Sequence, residues 1–210
     1  MLNWPTIITV LPIHLSESER IPYFGTIEAV HSSHSRQILI IRLATSEDAA
    51  AISRVHVDST RTTYAHLLPQ SYLAGLSYDE RQSMWARALA DRESKYFTFI
   101  AEKPSEGIVG FATGGPERSG MTDYSGELLA IYLLQSAQRS GTGRRLVSAV
   151  ASRLAESGHA SMMVWVLADN PSRAFYGKLG GQPVAEKLIE LAGVQLVEVA
   201  LGWTDLSRLK

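Results

Sequence analysis

The segment Gln138-Arg139-Ser140-Gly141-Thr142-Gly143-Arg144-Arg145 follows directly on an apolar run at residues 128–134, and this juncture constrains the fold more than any other stretch. A short apolar run closed by a polar turn reads as a buried strand. Beyond the turn, Leu146, Val147, Val150 and Leu154 recur at helical spacing, and Gly158 supplies a helix stop. A strand therefore feeds a glycine turn, and the turn feeds a helix. In such a turn successive N–H groups point into one concavity, to which the helix adds its positive end. The expected guest is a pyrophosphate or similar anion. A dinucleotide fingerprint requires a third glycine where Leu146 stands, and a P-loop requires Gly-Lys-Ser/Thr where Gly143-Arg144-Arg145 stands. Both are excluded.

With 210 residues the chain can bury one good core, consistent with one domain plus an extension. Its formal net charge of −1 carries no electrostatic footprint for nucleic acid or an anionic membrane. The chain has no cysteine, which removes disulfides, thiolate zinc sites and cysteine nucleophiles together. No apolar stretch approaches the ~20 residues that span a bilayer, and the first basic residue is Arg20, so a signal peptide's charged start is missing. A cytoplasmic protein is expected.

Residues 1–36 show no sustained period and read as an N-terminal extension. His31 and His34 there lack further ligands, so no metal is expected. From residue 37 to 205 the pattern is that of one domain. Residues 38–43 read as a strand, followed by a helix capped by Thr45 or Ser46, with Ala49, Ile52, Val55 and His56 facing inward. Ser77 and Glu80 form a capping-box pattern for a second helix that carries Trp85, Ala88 and Leu89 inward. Residues 96–101 and 108–113 form a hairpin, 127–134 and 162–167 are further strands, and 171–179 is a short helix. A last hairpin joins 185–191 to 194–201 across Ala192-Gly193.

The glycine turn, read as Gln-x-x-Gly-x-Gly after a strand, resembles the acyl-CoA pyrophosphate loop of the GNAT N-acetyltransferases. A second segment, Asn170-Pro171-Ser172-Arg173-Ala174-Phe175-Tyr176-Gly177-Lys178-Leu179-Gly180-Gly181, resembles that family's Asn-x-x-Ala-x-x-Phe/Tyr-Tyr-x-x-x-Gly segment, with Ala174 one place out of phase. The two stand in the right order, one helix and one strand apart. The resemblance implies an α/β (α+β) fold, a mixed and mostly antiparallel sheet splayed open at the acyl-CoA site and flanked by helices. It implies acetyl-CoA as co-substrate, with the pantetheine arm on the backbone of Ile131, Tyr132 and Leu133. The pyrophosphate is expected on Gln138, Arg139, Ser140, Gly141, Thr142, Gly143 and Arg144, and Asn170 on the opposite side.

Acetyl transfer needs a neutral amine, whereas an alkylamine with a pKa of ~10.4 arrives charged. A base, direct or through water, must take its proton. The resemblance puts Glu127 in that role and Tyr176 as proton donor to the leaving sulfur. His56 and Asp58 are weaker candidates for the base. Thr60, Tyr64 and Tyr72 lie in the variable stretch expected to line the acceptor pocket, with Tyr124 as a further aromatic. The expected activity is acetylation of an amine on a small molecule or peptide in a ternary complex. The alternatives are a protein or peptide acetyltransferase and a non-catalytic acyl-CoA-binding module. No nucleic-acid or membrane partner is expected. The oligomeric state, a homodimer included, is left open.

Overall fold

The computed structural model describes residues 38–209; the expected extension at 1–36, with His31 and His34, lies outside the described residues. Seven strands form one sheet: β1 (Ile40–Leu43), β2 (Phe97–Lys103), β3 (Gly107–Pro116), β4 (Gly126–Leu133), β5 (Met162–Leu167), β6 (Gln182–Leu191) and β7 (Val194–Trp203). Their order is β1-β2-β3-β4-β5-β7-β6, and every neighbouring pair is antiparallel except β4 and β5. The helices are α1 (Ala49–Thr63), α2 (Gln70–Ala74), α3 (Tyr78–Ala90), α4 (Thr142–Glu156) and α5 (Arg173–Lys178). None is long and apolar enough to cross a membrane.

The two sheet faces follow from strand alternation. Leu128, Ile131 and Leu133 of β4 join Leu146, Val150 and Leu154 of α4 in one core. Ala130 and Tyr132 turn the other way, into a second core with Ile52 and Val55 of α1 and Trp85 of α3. The inward residues expected on α1 are buried, as is Trp85, while Ala88 and Leu89 are half-buried. Ser77 Oγ accepts from Glu80 N–H at 3.3 Å, as its capping pattern predicts. Before α1, Thr45 is the N-cap of the entry turn, in a capping box with Asp48, whose carboxylate accepts from Thr45 N–H at 2.8 Å and pairs with Arg42 at 2.8 Å. The packed chain continues past Asp205, because Leu206 and Leu209 are buried in the α4 core.

The feature that positions the site is the β4–β5 junction. The strands pair only at Gly126↔Met162 and Glu127↔Met163. Gly126 N–H donates to Ser161 O at 3.0 Å and Ser125 N–H to Ser161 Oγ at 3.0 Å, which pins the apex. A Cβ on Gly126 would sit 2.9 Å from Leu154 Cδ1 and 3.1 Å from Ser161 O, so glycine suits the close approach of the strands there. Just beyond the apex the β3–β4 register slips between Thr113 and Gly114, paired with Ala130 and Leu128, which leaves Leu129 as an extra residue. A bulge increases local twist and bends its strand, and this one lies just past the last β4–β5 pair. The sheet opens where the sequence resemblance implied.

Candidate active site

The rim of the opening is the glycine turn. Arg139 and Gly141 both have positive φ, 54° and 85°. That alternation gathers consecutive N–H groups into a concavity, and Gly141 is the N-cap of α4, whose first-turn N–H groups have no intrahelical partners. Ser140 Oγ donates to Ala137 O at 2.7 Å and lies 2.8 Å from Thr142 Oγ1, which closes the turn. Gln138 Nε2 donates to Leu133 O at 3.1 Å, and Ser59 Oγ donates to the same carbonyl at 2.9 Å. The end of β4 is thus tied both to the turn and to α1. Arg145 Nη2 donates to Leu39 O at 2.8 Å, which directs it to the β1 side.

Across the opening, Asn170 is buried in the turn between β5 and α5. Its Oδ1 accepts from Ser172 N–H at 2.9 Å, and its Nδ2 donates to Tyr64 Oη at 3.3 Å. Tyr64, at the end of α1, is fully buried, and burial raises its hydroxyl well above the ordinary range, so it stays protonated. Tyr132, Tyr176 and Glu198 also act electrostatically on Tyr64. Tyr176, on α5, is fully buried with its ring 5.2 Å from that of Phe175. Thr60 is buried with its hydroxyl on His56 O at 2.7 Å, and Tyr72 packs half-buried at the edge of the α1–α3 core. Thr60 on α1 and Tyr72 on α2 thus belong to the helical wall.

Glu127 is buried, 3% exposed. Arg118 holds both its oxygens, Nη2 on Oε1 at 2.9 Å and Nε on Oε2 at 3.1 Å, and Arg118 N–H adds a third bond at 3.2 Å. Three bonds leave one of the roughly four acceptor positions of a carboxylate open. The β3–β4 loop that carries Arg118 is folded around Glu117, whose carboxylate accepts from the N–H groups of Gly120 at 3.0 Å and Met121 at 3.1 Å. The same loop reaches β5 through Ser119 Oγ, which accepts from Trp165 Nε1 at 3.1 Å.

A second buried carboxylate, Glu198, escapes sequence reasoning. It lies on β7 opposite Leu167 of β5 and Lys187 of β6, on the sheet face that also carries Trp165. Lys187 Nζ stands 3.2 Å from Glu198 Oε2 and 3.9 Å from the centre of the Trp165 ring. Burial raises the Glu198 carboxyl above its usual range, against the lowering effect of Lys187; Glu127 and Arg118 act on it too, with opposite signs. The available signal was a single acid inside the apolar alternation Val197-Glu198-Val199-Ala200.

His56, a weaker base candidate on α1, lies in the core. It is buried among Trp85, Phe111 and Tyr132, with Nδ1 accepting from Trp85 Nε1 at 3.2 Å. Burial, with a smaller contribution from Arg81, lowers its pKa to about 3, so it is a neutral core group. Among the described residues no cluster of three or more His, Asp or Glu is arranged to hold a metal.

Comparison with known proteins agrees with this architecture. Residues 117–189, from the β3–β4 loop into β6, match the family model described as FR47-like protein. The chain is 45% identical over 174 residues to YuaI of Bacillus subtilis (strain 168), an uncharacterized N-acetyltransferase, covering 82% of this chain and 97% of that one. Among solved structures, an N-acetyltransferase from Staphylococcus aureus Mu50 superposes with a TM-score of 0.62 at 23% identity, over 80% of this chain and 99% of that one. The yncA protein of Salmonella typhimurium, solved with acetyl-CoA, superposes at 0.60 and 22% identity, over 80% and 94%. With a sheet parted beyond Glu127, an N–H-lined turn at its rim and 45% identity to a protein named as an N-acetyltransferase, the chain belongs to the GNAT family of acetyl-CoA-dependent N-acetyltransferases.

Proposed function

We propose that the chain acetylates an amine of a small molecule or peptide, with acetyl-CoA and acceptor bound together in the parted sheet. The observation that carries this reading is the confinement of β4–β5 pairing to two residue pairs, directly below a helix-capping glycine turn. Bound acetyl-CoA supplies an acetyl thioester that a neutral amine can attack. The open edge of β4 at Ile131, Tyr132 and Leu133 receives the pantetheine amides. The turn from Gln138 to Arg144 receives the pyrophosphate, where N–H groups and the α4 dipole favour negative charge. Asn170 borders the arm from the β5 side while its own amide holds Tyr64.

On the acceptor side, Glu127 keeps one acceptor position free for a proton delivered directly or through water. Tyr176 donates to the departing sulfur. Tyr64 lines the acceptor volume, with Thr60 and Tyr72 supporting its helical wall.

The test is thiol release from acetyl-CoA with polyamines, amino acids, aminoglycosides and basic peptides as acceptors. The chain has no cysteine, so a thiol reagent reports only released CoA. Acceptor-dependent release that falls by ~10²- to 10⁴-fold in Tyr176→Phe is expected for loss of a positioned proton donor. Acetyl-CoA binding without release for any acceptor would instead favour a non-catalytic acyl-CoA module.

A further inference from the structure

The acceptor face holds a cation site already filled by the protein itself. Glu198 is 1% exposed, and its Oε2 faces the Lys187 ammonium at 3.2 Å. The same ammonium lies over the Trp165 ring at 3.9 Å from the centre, within the ~6 Å reach of a cation–π contact. Trp165 is itself held in orientation by Ser119. A buried carboxylate and a fixed aromatic face together select an alkylammonium over a neutral or anionic group.

Lys187 is nonetheless a replaceable occupant. Its side chain is 40% exposed on β6, an edge strand of the sheet, so it can leave for water without disturbing the core. Its presence does not offset the burial of Glu198, whose carboxyl remains above its usual range. A better-seated cation therefore stabilises the site further. Glu127 pairs with Met163 of β5, which shares a sheet face with Trp165 two residues on, and Ser119 next to Arg118 bonds Trp165, so this cation site lies on the Glu127 face assigned above to the acceptor.

We propose that Glu198 and Trp165 form the subsite for an alkylammonium group of the acceptor, and that the Lys187 side chain occupies this subsite until the acceptor displaces it. The inference rests on the acetyltransferase reading for its place in the reaction, and it assigns the substrate class: compounds carrying a primary ammonium on a flexible aliphatic chain, as the lysine side chain itself does.

The test uses the full-length chain, with n-butylammonium as probe and thermal unfolding as readout, so it does not depend on acetyl transfer. In Lys187→Met the subsite is empty, and the probe at about ten times its dissociation constant is expected to raise the Tm by about 3 °C or more. Wild type, with its internal occupant, shows a smaller rise at the same concentration, and n-butanol gives none in either protein. The Lys187→Met/Glu198→Gln double variant is expected to show no rise. Lys187→Gln, which keeps an N–H donor toward Glu198, serves if Lys187→Met does not accumulate folded. No rise in the Lys187 variants, or an equal rise after Glu198→Gln, overturns the proposal. Acetyl-CoA binding measured on the same samples reports separately on the acetyltransferase reading.

Discussion

Arg118 grips both carboxylate oxygens of Glu127, at 2.9 and 3.1 Å, so the acid at the apex of the opened sheet is also the anchor of the β3–β4 loop. Removing the cation strands a buried anion, whereas neutralising the anion leaves a half-buried arginine that can turn to water. Arg118→Ala is therefore expected to destabilise the chain by about 3 kcal/mol, and Glu127→Gln by less. Urea unfolding of the two variants checks the order. Equal losses would show that the pair behaves like a surface contact.

Gly141 separates binding from packing in the anion turn. A Cβ there meets nothing within 4 Å, yet the residue sits at φ 85°, so alanine adds strain without a clash. Gly141→Ala is expected to cost about 1 kcal/mol of stability. Because the strain bends the N–H groups proposed to receive the pyrophosphate, KM for acetyl-CoA should rise while KM for the acceptor changes little. Initial rates with each substrate varied in turn decide this.

The parts of the molecule that depend on local pattern were legible in the sequence. The strand, glycine turn and helix at 128–158 announce themselves through spacing alone, and so does the final hairpin, whose Ala192 and Gly193 take φ of 54° and 76°. What escaped is non-local. Glu198, Lys187 and Trp165 come from three strands, and only the register that sets Glu198 against both Leu167 and Lys187 brings them to one face. The bulge at Leu129 likewise has no signature in an unbroken apolar run. Arg118 sits in a loop whose course depends on Glu117, and nothing in its neighbourhood predicts that it would turn back to β4. His56 read as an ambiguous helix residue because its partner, Trp85, is 29 positions away on another helix.

Gly202 holds Tyr124 in place by having no side chain. A Cβ at Gly202 would lie 2.3 Å from the Tyr124 ring at both Cζ and Oη. The ring belongs to a small cluster with Met163 and Ala200 and cannot shift without disturbing it. Gly202→Ala is expected to cost about 1–3 kcal/mol through overpacking. The same change made in a Tyr124→Ala background should cost clearly less, since the two effects share one contact. Additive losses in this double-mutant cycle would place the cost of Gly202→Ala in the backbone instead.

The buried imidazole of His56 makes the folded state sensitive to acid. Its Nδ1 accepts from Trp85 Nε1, so a proton on that nitrogen would set two donors against each other inside an aromatic cage. Folding lowers its pKa from 6.5 to about 3. Below pH 6.5 the unfolded chain binds a proton that the native chain refuses. The contribution is thus complete above that pH and is lost as the pH falls toward 3. The slope over that window is about 1.4 kcal/mol per pH unit for one proton. His56→Gln keeps an acceptor for Trp85 but cannot titrate. Carboxylates titrate in both proteins and cancel in the difference. Between about pH 7 and pH 4, wild type should therefore lose stability more steeply than His56→Gln by roughly that slope. Urea midpoints at several pH values give the comparison directly, and parallel curves would mean that the imidazole accepts its proton without unfolding.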